Sequence, residues 1–302
     1  MRRTICILTL IILTTGHAFG QSGQSSFEFL LIGPGSRASA MGEAFSAVGG
    51  DAGAPYFNPA AAALTAGTEF SLMYVSYLSD ASMEHFNVLT QAKRFHFGFG
   101  FYYGKVGDFQ GRDMIPTDEP ITKFDEHNFA LLLTGAMQAS ERISFGASLK
   151  TAYEKIDQSS ASAFGVDLGI CYKVRTKVNF ATALRNLGTR PKFESVKFNL
   201  PRELRFGLAY KSDSGTEPAG IILSADYIIT EWGNREGKLN LGGEYTYQRL
   251  ITLRMGYGFG YDSRGFAIGG GINYRNYFFD YAFVPGRNNL SDTHRYTLRI
   301  RI

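Results

Sequence analysis

The sequence predicts an all-β fold, a transmembrane antiparallel β-barrel of about fourteen strands with a small N-terminal plug segment in its lumen. Three observations predict it. Runs of alternating apolar and polar residues recur along most of the chain, short connections alternate with long ones, and the chain opens with an export-like segment. We therefore expect a signal peptide over residues 1–20, a plug or hatch segment over 21–67 and the barrel over 68–302.

Composition supports a folded chain rich in strands. Of the 302 residues, 44% are hydrophobic and only 19% are charged, which argues against disorder. The 25 Phe and 17 Tyr are residues that strands favour. The formal net charge of +4 falls to +2 without Arg2 and Arg3, which is too small to indicate a nucleic-acid partner.

The first twenty residues have the layout of a secretory signal peptide. Arg2 and Arg3 precede an apolar run over 5–13 that is too short to span a bilayer as a helix. Ala18-Phe19-Gly20 supplies the small residues of a cleavage site, so we expect cleavage after Gly20. Cys171 is then the remaining cysteine, and an internal disulfide is excluded in the mature chain.

Residues 21–67 are rich in Ala, Gly and Ser and predict short helical turns and loops. Asn58 can cap a helix that begins at Pro59, because proline is tolerated in the first turn. Two interpretations remain open for this stretch: a helix start inside a plug, or a hatch that contacts a ligand. The residues predicted for the plug or hatch motif are Met41, Gly42, Glu43, Asn58, Pro59 and Ala60.

Fourteen alternating runs follow this segment. They are residues 69–76, 84–92, 94–103, 127–138, 142–154, 161–173, 177–187, 203–211, 220–229, 238–248, 250–259, 265–274, 276–283 and 294–302. An extended strand points successive side chains to opposite faces, so each run has one apolar and one polar face.

The run LNLGGEYTYQ shows that alternation alone does not tell which face of a strand contacts water. Its apolar face fits the inside of a soluble sandwich or the lipid side of a membrane barrel. So many consecutive strands without covering helices favour lipid, and a closed barrel satisfies every backbone group there. We expect Leu239, Leu241, Tyr245 and Tyr247 to face lipid, and Asn240, Glu244, Thr246 and Gln248 to face the lumen.

Charged residues of the polar faces are expected to line the lumen. They are Glu203, Arg205, Asp226, Glu244, Arg254, Asp280, Arg295, Arg299 and Arg301. Both signs of charge are present, which favours a network between plug and wall. A selective pore lining is the alternative.

The connections between runs indicate the orientation in the membrane. Very short ones, such as residues 139–141, alternate with long ones over 104–126 and 188–202, the pattern of outer-membrane barrels. An even strand count places both termini at the short-turn end, which predicts an outer-membrane protein with periplasmic termini. We expect the long connection over 106–122 to be extracellular and to bear partner contacts.

Signatures of catalysis or metal binding are missing from the sequence. His85, His96, His127 and His294 are scattered over different runs, and neither HExxH nor GxSxG occurs. His96 is expected in the lumen beside Tyr102. The sequence therefore predicts no enzyme, no metal site and no cofactor.

Several stretches carry a family resemblance over essentially the whole mature chain. SFEFLLIGPGSRASAMGEAFSAVGGDAGAPYFNPAAAA resembles the N-terminal region of the FadL-like barrels, and most closely their PorV/PorQ branch. Later stretches, among them ASAFGVDLGICYK, LPRELRFGLAYK and DYAFVPGRNNLSDTHRYTLRI, are similar to the same branch.

The resemblance implies a fourteen-stranded barrel whose N-terminal segment plugs the lumen, and two functions. The first is a non-enzymatic part in type IX protein secretion or surface attachment, with translocon or attachment-complex proteins and exported proteins as partners. The second is a FadL-like channel for long-chain fatty acids or other hydrophobic ligands. The weakly apolar composition of the plug segment favours the first. Outer-membrane lipids are partners under both.

Overall fold

The computed structural model describes residues 26–77, 81–111, 120–212, 219–230 and 237–302. The signal peptide expected over residues 1–20 lies outside the described residues. Short helices precede the strands: 3₁₀-helices at Glu28–Leu31 and Pro59–Leu64, and α-helices at Ser36–Ala40 and Ala54–Phe57. No helix among the described residues has the length and apolar character needed to cross a membrane.

Sixteen strands follow within the described ranges. They are β1 (Thr68–Tyr77), β2 (Ala81–Ala92), β3 (Phe95–Gly111), β4 (Thr122–Gln138), β5 (Ile143–Ile156), β6 (Ser159–Arg175), β7 (Val178–Gly188), β8 (Lys192–Phe193), β9 (Val196–Lys197), β10 (Glu203–Lys211), β11 (Ala219–Thr230), β12 (Lys238–Tyr247), β13 (Ile251–Phe259), β14 (Phe266–Tyr274), β15 (Tyr277–Val284) and β16 (Thr293–Arg301).

Fourteen of these strands form one closed antiparallel barrel, so the predicted strand number is confirmed. Each strand pairs with its neighbours along the chain, β7 pairs with β10, and β16 returns to β1. The closing ladder runs from Glu69 opposite Arg301 to Ser76 opposite His294. Closure gives each of the fourteen barrel strands a neighbour on both sides, so the barrel has no edge strand.

The two faces of the wall differ sharply in exposure and chemistry. On β13, Leu253 and Met255 are exposed, whereas the intervening Arg254 is 4% exposed. On β12, Leu239, Leu241, Tyr245 and Tyr247 are exposed, and Asn240 and Glu244 are buried. We call the buried face, which contacts the N-terminal segment, the inner face. Gln248 was expected on it, but β12 ends at Tyr247 and Gln248 turns away with a φ of 49°.

The long connections are more ordered than the sequence predicts. The loop expected over 104–126 is largely ladder, because β3 continues to Gly111 and β4 begins at Thr122. The rings of Phe109 and Phe124 stack with centroids 5.3 Å apart in this extension. The sequence prediction identifies a strand by its alternation of apolar and polar residues. Backbone pairing can continue beyond the residues that alternate. Residues 112–119 lie outside the described residues.

A bulge shapes the wall between β6 and β7. The register shifts between Val166 and Leu168, where Asn186 has a φ of 57°. Asparagine tolerates this left-handed conformation better than most residues. The Asn186 backbone N–H donates to Asp167 at 2.7 Å, and its side-chain amide donates to the carbonyl of Pro201 at 2.7 Å. The bulge thus ties β7 to the connection that carries the β8–β9 hairpin.

The short turns and the start of β1 share one end of the barrel. The Gln91 N–H, beside the β2–β3 turn, donates to the carbonyl of Gly67 at 3.0 Å. The Ile302 N–H donates to the carbonyl of Thr68 at 2.8 Å. We call this end the short-turn end and the opposite one the long-loop end.

The outer face predicts an asymmetric response to charge. Met255 lies in the middle of β13 and is 60% exposed on the apolar side. Met255→Arg should lower the free energy of unfolding in lipid vesicles by about 2–4 kcal/mol, because it places a charge in hydrocarbon. The control Met255→Leu should change it by less than about 1.5 kcal/mol. Equal stability of the two variants would contradict a lipid-facing position.

Candidate functional site

The N-terminal segment, residues 26–67, packs against the inner face of the barrel. Its core is more aromatic than its small-residue composition predicts, because Phe27, Phe45, Tyr56 and Phe57 are almost fully buried. The rings of Phe45 and Phe57 have centroids 5.4 Å apart, and those of Tyr56 and Phe57 are 5.2 Å apart. The description of this segment as weakly apolar is therefore wrong. Counting residue types hides four large rings that converge in space.

Met41-Gly42-Glu43 meets the wall at the level of two strand glycines. Gly42 and Glu43 have φ values of 63° and 62°, so the chain reverses here. A Cβ on Gly256 of β13 would lie 2.1 Å from the Gly42 nitrogen. A Cβ on Gly242 of β12 would lie 2.5 Å from the Met41 oxygen. The wall therefore accepts this part of the segment only where it carries no side chain.

Asn58-Pro59-Ala60 makes a second close contact, with β5 and β6. The Ala60 N–H donates to the Asn58 side-chain oxygen at 3.0 Å, so Asn58 caps the helix that begins at Pro59. The Asn58 amide nitrogen donates to the carbonyl of Ser46 at 3.1 Å and to that of Ile170 at 3.3 Å. A Cβ on Gly146 would lie 2.4 Å from the Ala60 nitrogen. One side chain thus joins the cap, the segment and the wall.

A chain of ion pairs, which we call the Arg37 network, joins the segment to the strands around the barrel closure. Arg37 contacts Glu244 at 2.7 Å and Asp51 at 3.3 Å. Across the wall the contacts continue through Glu244–Arg254 (2.6 Å), Arg254–Asp280 (2.7 Å), Asp280–Arg299 (2.9 Å), Arg299–Glu69 (3.5 Å) and Glu69–Arg301 (2.6 Å). Acidic and basic groups alternate along it, so each charge has an opposite neighbour.

A second ionic cluster lies beneath Tyr56. Arg185 is fully buried, pairs with Glu203 and lies 4.1 Å from the centroid of the Tyr56 ring. Arg205 bridges Glu203 at 3.2 Å and Asp226 at 3.7 Å. Asp226 also accepts the backbone N–H of Ser46 at 3.0 Å. This cluster holds the middle of the segment as the Arg37 network holds its start.

Glu43 forms a third contact, toward the long-loop end. Its carboxylate lies 2.7 Å from Arg264 and 3.7 Å from Arg295. Burial alone would raise the pKa of Glu43, but these two guanidinium groups outweigh it and hold the pKa below its ordinary value. Glu43 is therefore ionised at neutral pH.

Burial also changes the pKa values of other groups of the segment. Burial raises the pKa of Tyr56 to about 12, so its hydroxyl stays protonated and donates to the carbonyl of Leu30. Burial raises the pKa of Asp51, although Arg37 opposes the shift. Burial would lower the pKa of Arg37, but Glu244 and Asp51 hold it above its ordinary value. Tyr56 is thus neutral and Arg37 charged at neutral pH.

The predicted lumen residues take part in these contacts. Glu203, Arg205, Asp226, Glu244, Arg254, Asp280, Arg295 and Arg299 are buried on the inner face, and the Arg301 side chain is 37% exposed near the short-turn end. Sequence reasoning missed Arg37, Asp51, Glu69, Asp167 and Arg185. Alternation could have identified the strand residues among them. Arg185, for example, lies on the same face of β7 as the buried Ala181 and Ala183.

The expected neighbourhood of His96 is wrong. Tyr102 lies instead against His85, with ring centroids 4.4 Å apart, because β2 pairs His85 opposite Tyr102. His96 lies near the other end of β3 and pairs opposite Gln91. Shared strand parity put the two residues on one face but did not make them neighbours. Within the described ranges, no three His, Cys, Asp or Glu residues form a group that could hold a metal ion.

Open space lies at both ends of the barrel and, as a cavity of about 430 Å³, at mid-height on the wall where β1 meets β2 and β16. Between the segment and β2–β4, beside Tyr56 and Tyr102, the empty volume is about 180 Å³ and too narrow to admit a water molecule. Cavities of about 470 and 390 Å³ lie at the long-loop end. A polar cavity of about 320 Å³ beside Cys171 and Lys211 lies at the short-turn end. At mid-height, therefore, the segment and the wall are in close contact.

The close approach at Gly256 predicts a strong effect of one methyl group. Gly256→Ala should lower the free energy of unfolding by about 1–3 kcal/mol and expose the segment to protease, because the new Cβ collides with Gly42. Gly243→Ala is the matched control, since its Cβ would meet nothing nearer than 3.8 Å. Limited proteolysis and unfolding of both variants test this. Equal protease resistance would contradict the contact.

Comparison with known proteins places this arrangement in a family. No curated protein matches the chain in sequence. The monoaromatic hydrocarbon channel CymD has a similar structure, with a TM-score of 0.67 at 13% identity, over 90% of this chain and 98% of that one. The Pseudomonas putida toluene transporter TodX gives a TM-score of 0.59 at 15% identity, over 89% and 97% of the two chains.

A Pseudomonas aeruginosa FadL homologue is a third similar structure. Its TM-score is 0.54 at 11% identity, and the match covers 94% of this chain and 99% of that one. At such identities these likenesses establish the FadL-like barrel fold. The family model described as "Type IX secretion system protein PorV" matches residues 21–211, which include the whole N-terminal segment and the first eight of the fourteen barrel strands. The chain belongs to the PorV family of outer-membrane barrels.

Proposed function

We propose that the protein is a non-enzymatic component of type IX secretion that receives or hands on exported proteins at the outer membrane. The family match over residues 21–211 is the observation that carries the proposal. The matched region includes Arg37, Glu43 and Asn58, through which the segment contacts the wall. The family match therefore covers the segment that packs against the inner face.

The packing of the segment supports work at the rim of the barrel. Three ionic clusters and an aromatic core join the segment to the inner face at several heights. The empty space of about 180 Å³ beside Tyr56 is too narrow to admit a water molecule. It therefore cannot pass a folded or extended polypeptide. We infer that the segment is a plug and that exported proteins contact the long-loop end without passing through the lumen.

We further propose that the short-turn end faces the periplasm. Short periplasmic turns and longer extracellular loops are usual in outer-membrane barrels. The link from the segment to β1 passes Gly67 at the short-turn end, so the segment enters from the same side. The long-loop end, with the β8–β9 hairpin and the extended β3–β4 ladder, then faces the cell exterior.

A channel for hydrophobic small molecules is the second candidate. The observation that favours it is the shared fold with CymD and TodX, which are described as a monoaromatic hydrocarbon channel and a toluene transporter. Such a channel needs an apolar route between segment and wall. The polar contacts of Arg37, Asn58 and Arg205 occupy that boundary and favour the secretion role.

The two candidates predict different outcomes for protein retention and for toluene uptake. We expect the tagged chain, extracted in mild detergent, to retain translocon or surface-attachment proteins that an unrelated barrel of similar size does not retain. Cells that produce the chain in place of their own outer-membrane hydrocarbon channel should take up dilute toluene no faster than cells that lack both. Rapid toluene entry together with no retained protein would reject the secretion role and support the channel.

Cysteine labelling tests the orientation. Val196 lies in the β8–β9 hairpin and Thr176 in the β6–β7 turn; both are exposed, whereas the native Cys171 is buried. A membrane-impermeant maleimide should label Val196→Cys on intact cells and Thr176→Cys only after permeabilisation. The reverse pattern would place the short turns outside the cell.

A further inference from the structure

We propose that a cavity at the long-loop end binds the side chain of a lysine or arginine on a peptide. The cavity has a volume of about 470 Å³ and is lined by phenylalanine rings and carboxylates. It is formed by the inner face of β4 and β5, the start of the N-terminal segment and the connection that carries the β8–β9 hairpin. The inference stands apart from the secretion role, since it concerns only this cavity.

Aromatic rings form the apolar side of the cavity. Phe27 and Phe29 have ring centroids 6.0 Å apart, Phe27 and Phe193 are 6.2 Å apart, and Phe193 and Phe198 are 6.1 Å apart. These rings come from two separate parts of the chain and converge on one space. Aromatic faces attract cations and also cover the alkyl stem of a lysine or arginine side chain.

Carboxylates form the other side. Glu126 and Glu154 line the cavity from β4 and β5, and Glu28 lines it from the segment. The charges of Glu126 and Glu28 both act on Glu154. Within the described ranges, Glu154 accepts a hydrogen bond from the Phe27 N–H at 2.9 Å and Glu126 accepts one from the Asn128 amide at 2.6 Å, both neutral donors. A bound cation would therefore relieve repulsion between Glu126 and Glu154.

Asn128 supplies an independent indication of a ligand. It is only 3% exposed and lies directly opposite Glu154 in the ladder. Its side-chain nitrogen donates to Glu126, while its side-chain oxygen has no hydrogen-bond partner in the described part of the chain. Asn128 lines the adjoining cavity of about 390 Å³, which shares Glu28, Phe29 and Glu126 with the first. A buried oxygen without a donor, beside carboxylates, calls for a ligand that donates hydrogen bonds.

Basic groups of the adjoining cavity lie toward other strands. Arg264 pairs with Glu43 at 2.7 Å, and Lys105 pairs with Asp125 at 2.8 Å. Lys238 lies within electrostatic reach of Glu28. Arg264 and Lys105 thus have acidic partners of their own, and Glu126 and Glu154 form the acidic side of the first cavity on β4 and β5. A cationic side chain would enter on that side.

The lining matches an organic cation better than a metal ion. A metal ion prefers a compact set of oxygen ligands, whereas these carboxylates share the space with four phenylalanine rings. Lysine and arginine combine an apolar stem with a donor-bearing charge, so they use both sides of the cavity. The volume leaves room for the neighbouring residues of a peptide.

The experiment uses the full mature chain in a neutral detergent and three acetylated, amidated hexapeptides. Each peptide has Gly and Ser around one central residue, which is lysine, arginine or norleucine. Isothermal titration calorimetry measures the binding of each. We expect the lysine or arginine peptide to bind at least about tenfold more tightly than the norleucine peptide, since a charged hydrogen bond and cation–π contacts are added.

Variants connect that preference to the cavity. Glu126→Gln and Phe198→Ala should each weaken binding of the cationic peptide by about tenfold. Glu141→Gln at the short-turn end removes the same charge away from the cavity, and Val196→Ala truncates an exposed residue of the hairpin. Both controls should bind as the unchanged protein does. Heat-modified gel mobility checks folding, and Glu126→Gln decides the outcome if Phe198→Ala fails to fold.

Three results would overturn the proposal. The first is equal binding of the norleucine peptide and the cationic peptides. The second is unchanged binding by folded Glu126→Gln. The third is competition by choline at the same concentration as the lysine peptide, which would identify a site for small organic cations instead of peptides.

Discussion

The contact between the N-terminal segment and the wall depends on the absence of side chains at a few strand positions. At Gly146, Gly242 and Gly256, a Cβ would overlap the backbone of the segment. Because the backbone itself approaches the strands so closely, the caps and ion pairs can form at the observed distances. Larger residues there would push the segment away from the wall and lengthen these contacts. The polar contacts described above therefore depend on the steric room that these glycines leave in the wall.

Ion pairing is the second requirement, and it follows from the first. Packing the segment against the strands removes water from Arg37, Glu244 and Arg254, and a buried charge without a partner is strongly destabilising. Because acidic and basic groups alternate, each charge has an opposite partner. The inner face therefore stabilises one specific arrangement of the segment. The same separation of charge, left incomplete around Glu154 and Asn128, distinguishes the long-loop end as a place where an additional cation fits.

Alternation in the sequence was sufficient to predict the barrel, because lipid requires one apolar face along each crossing strand. It failed beyond the bilayer, where β3 and β4 remain paired although their apolar and polar residues no longer alternate. Parity also assigned His96 and Tyr102 to one face, but closeness depends on position along the ladder. The fold of the segment was not predictable from periodicity. Its helices are short, and the convergence of Phe45 with Phe57 depends on turns whose geometry arises only against the wall.

The Arg37 network has a consequence for the order of assembly. Arg37 lies near the start of the described chain, yet its partner Glu244 is separated from it by 207 residues, and Ser36 bonds to Thr297 across 261 residues. Contacts of such sequence separation form late and slowly. The segment is synthesised first, but the strands that neutralise its charge come last in the chain. Its aromatic rings and charges therefore have no wall to pack against until β12 to β16 join the ladder, so the last strands of the chain set when the segment can complete its packing.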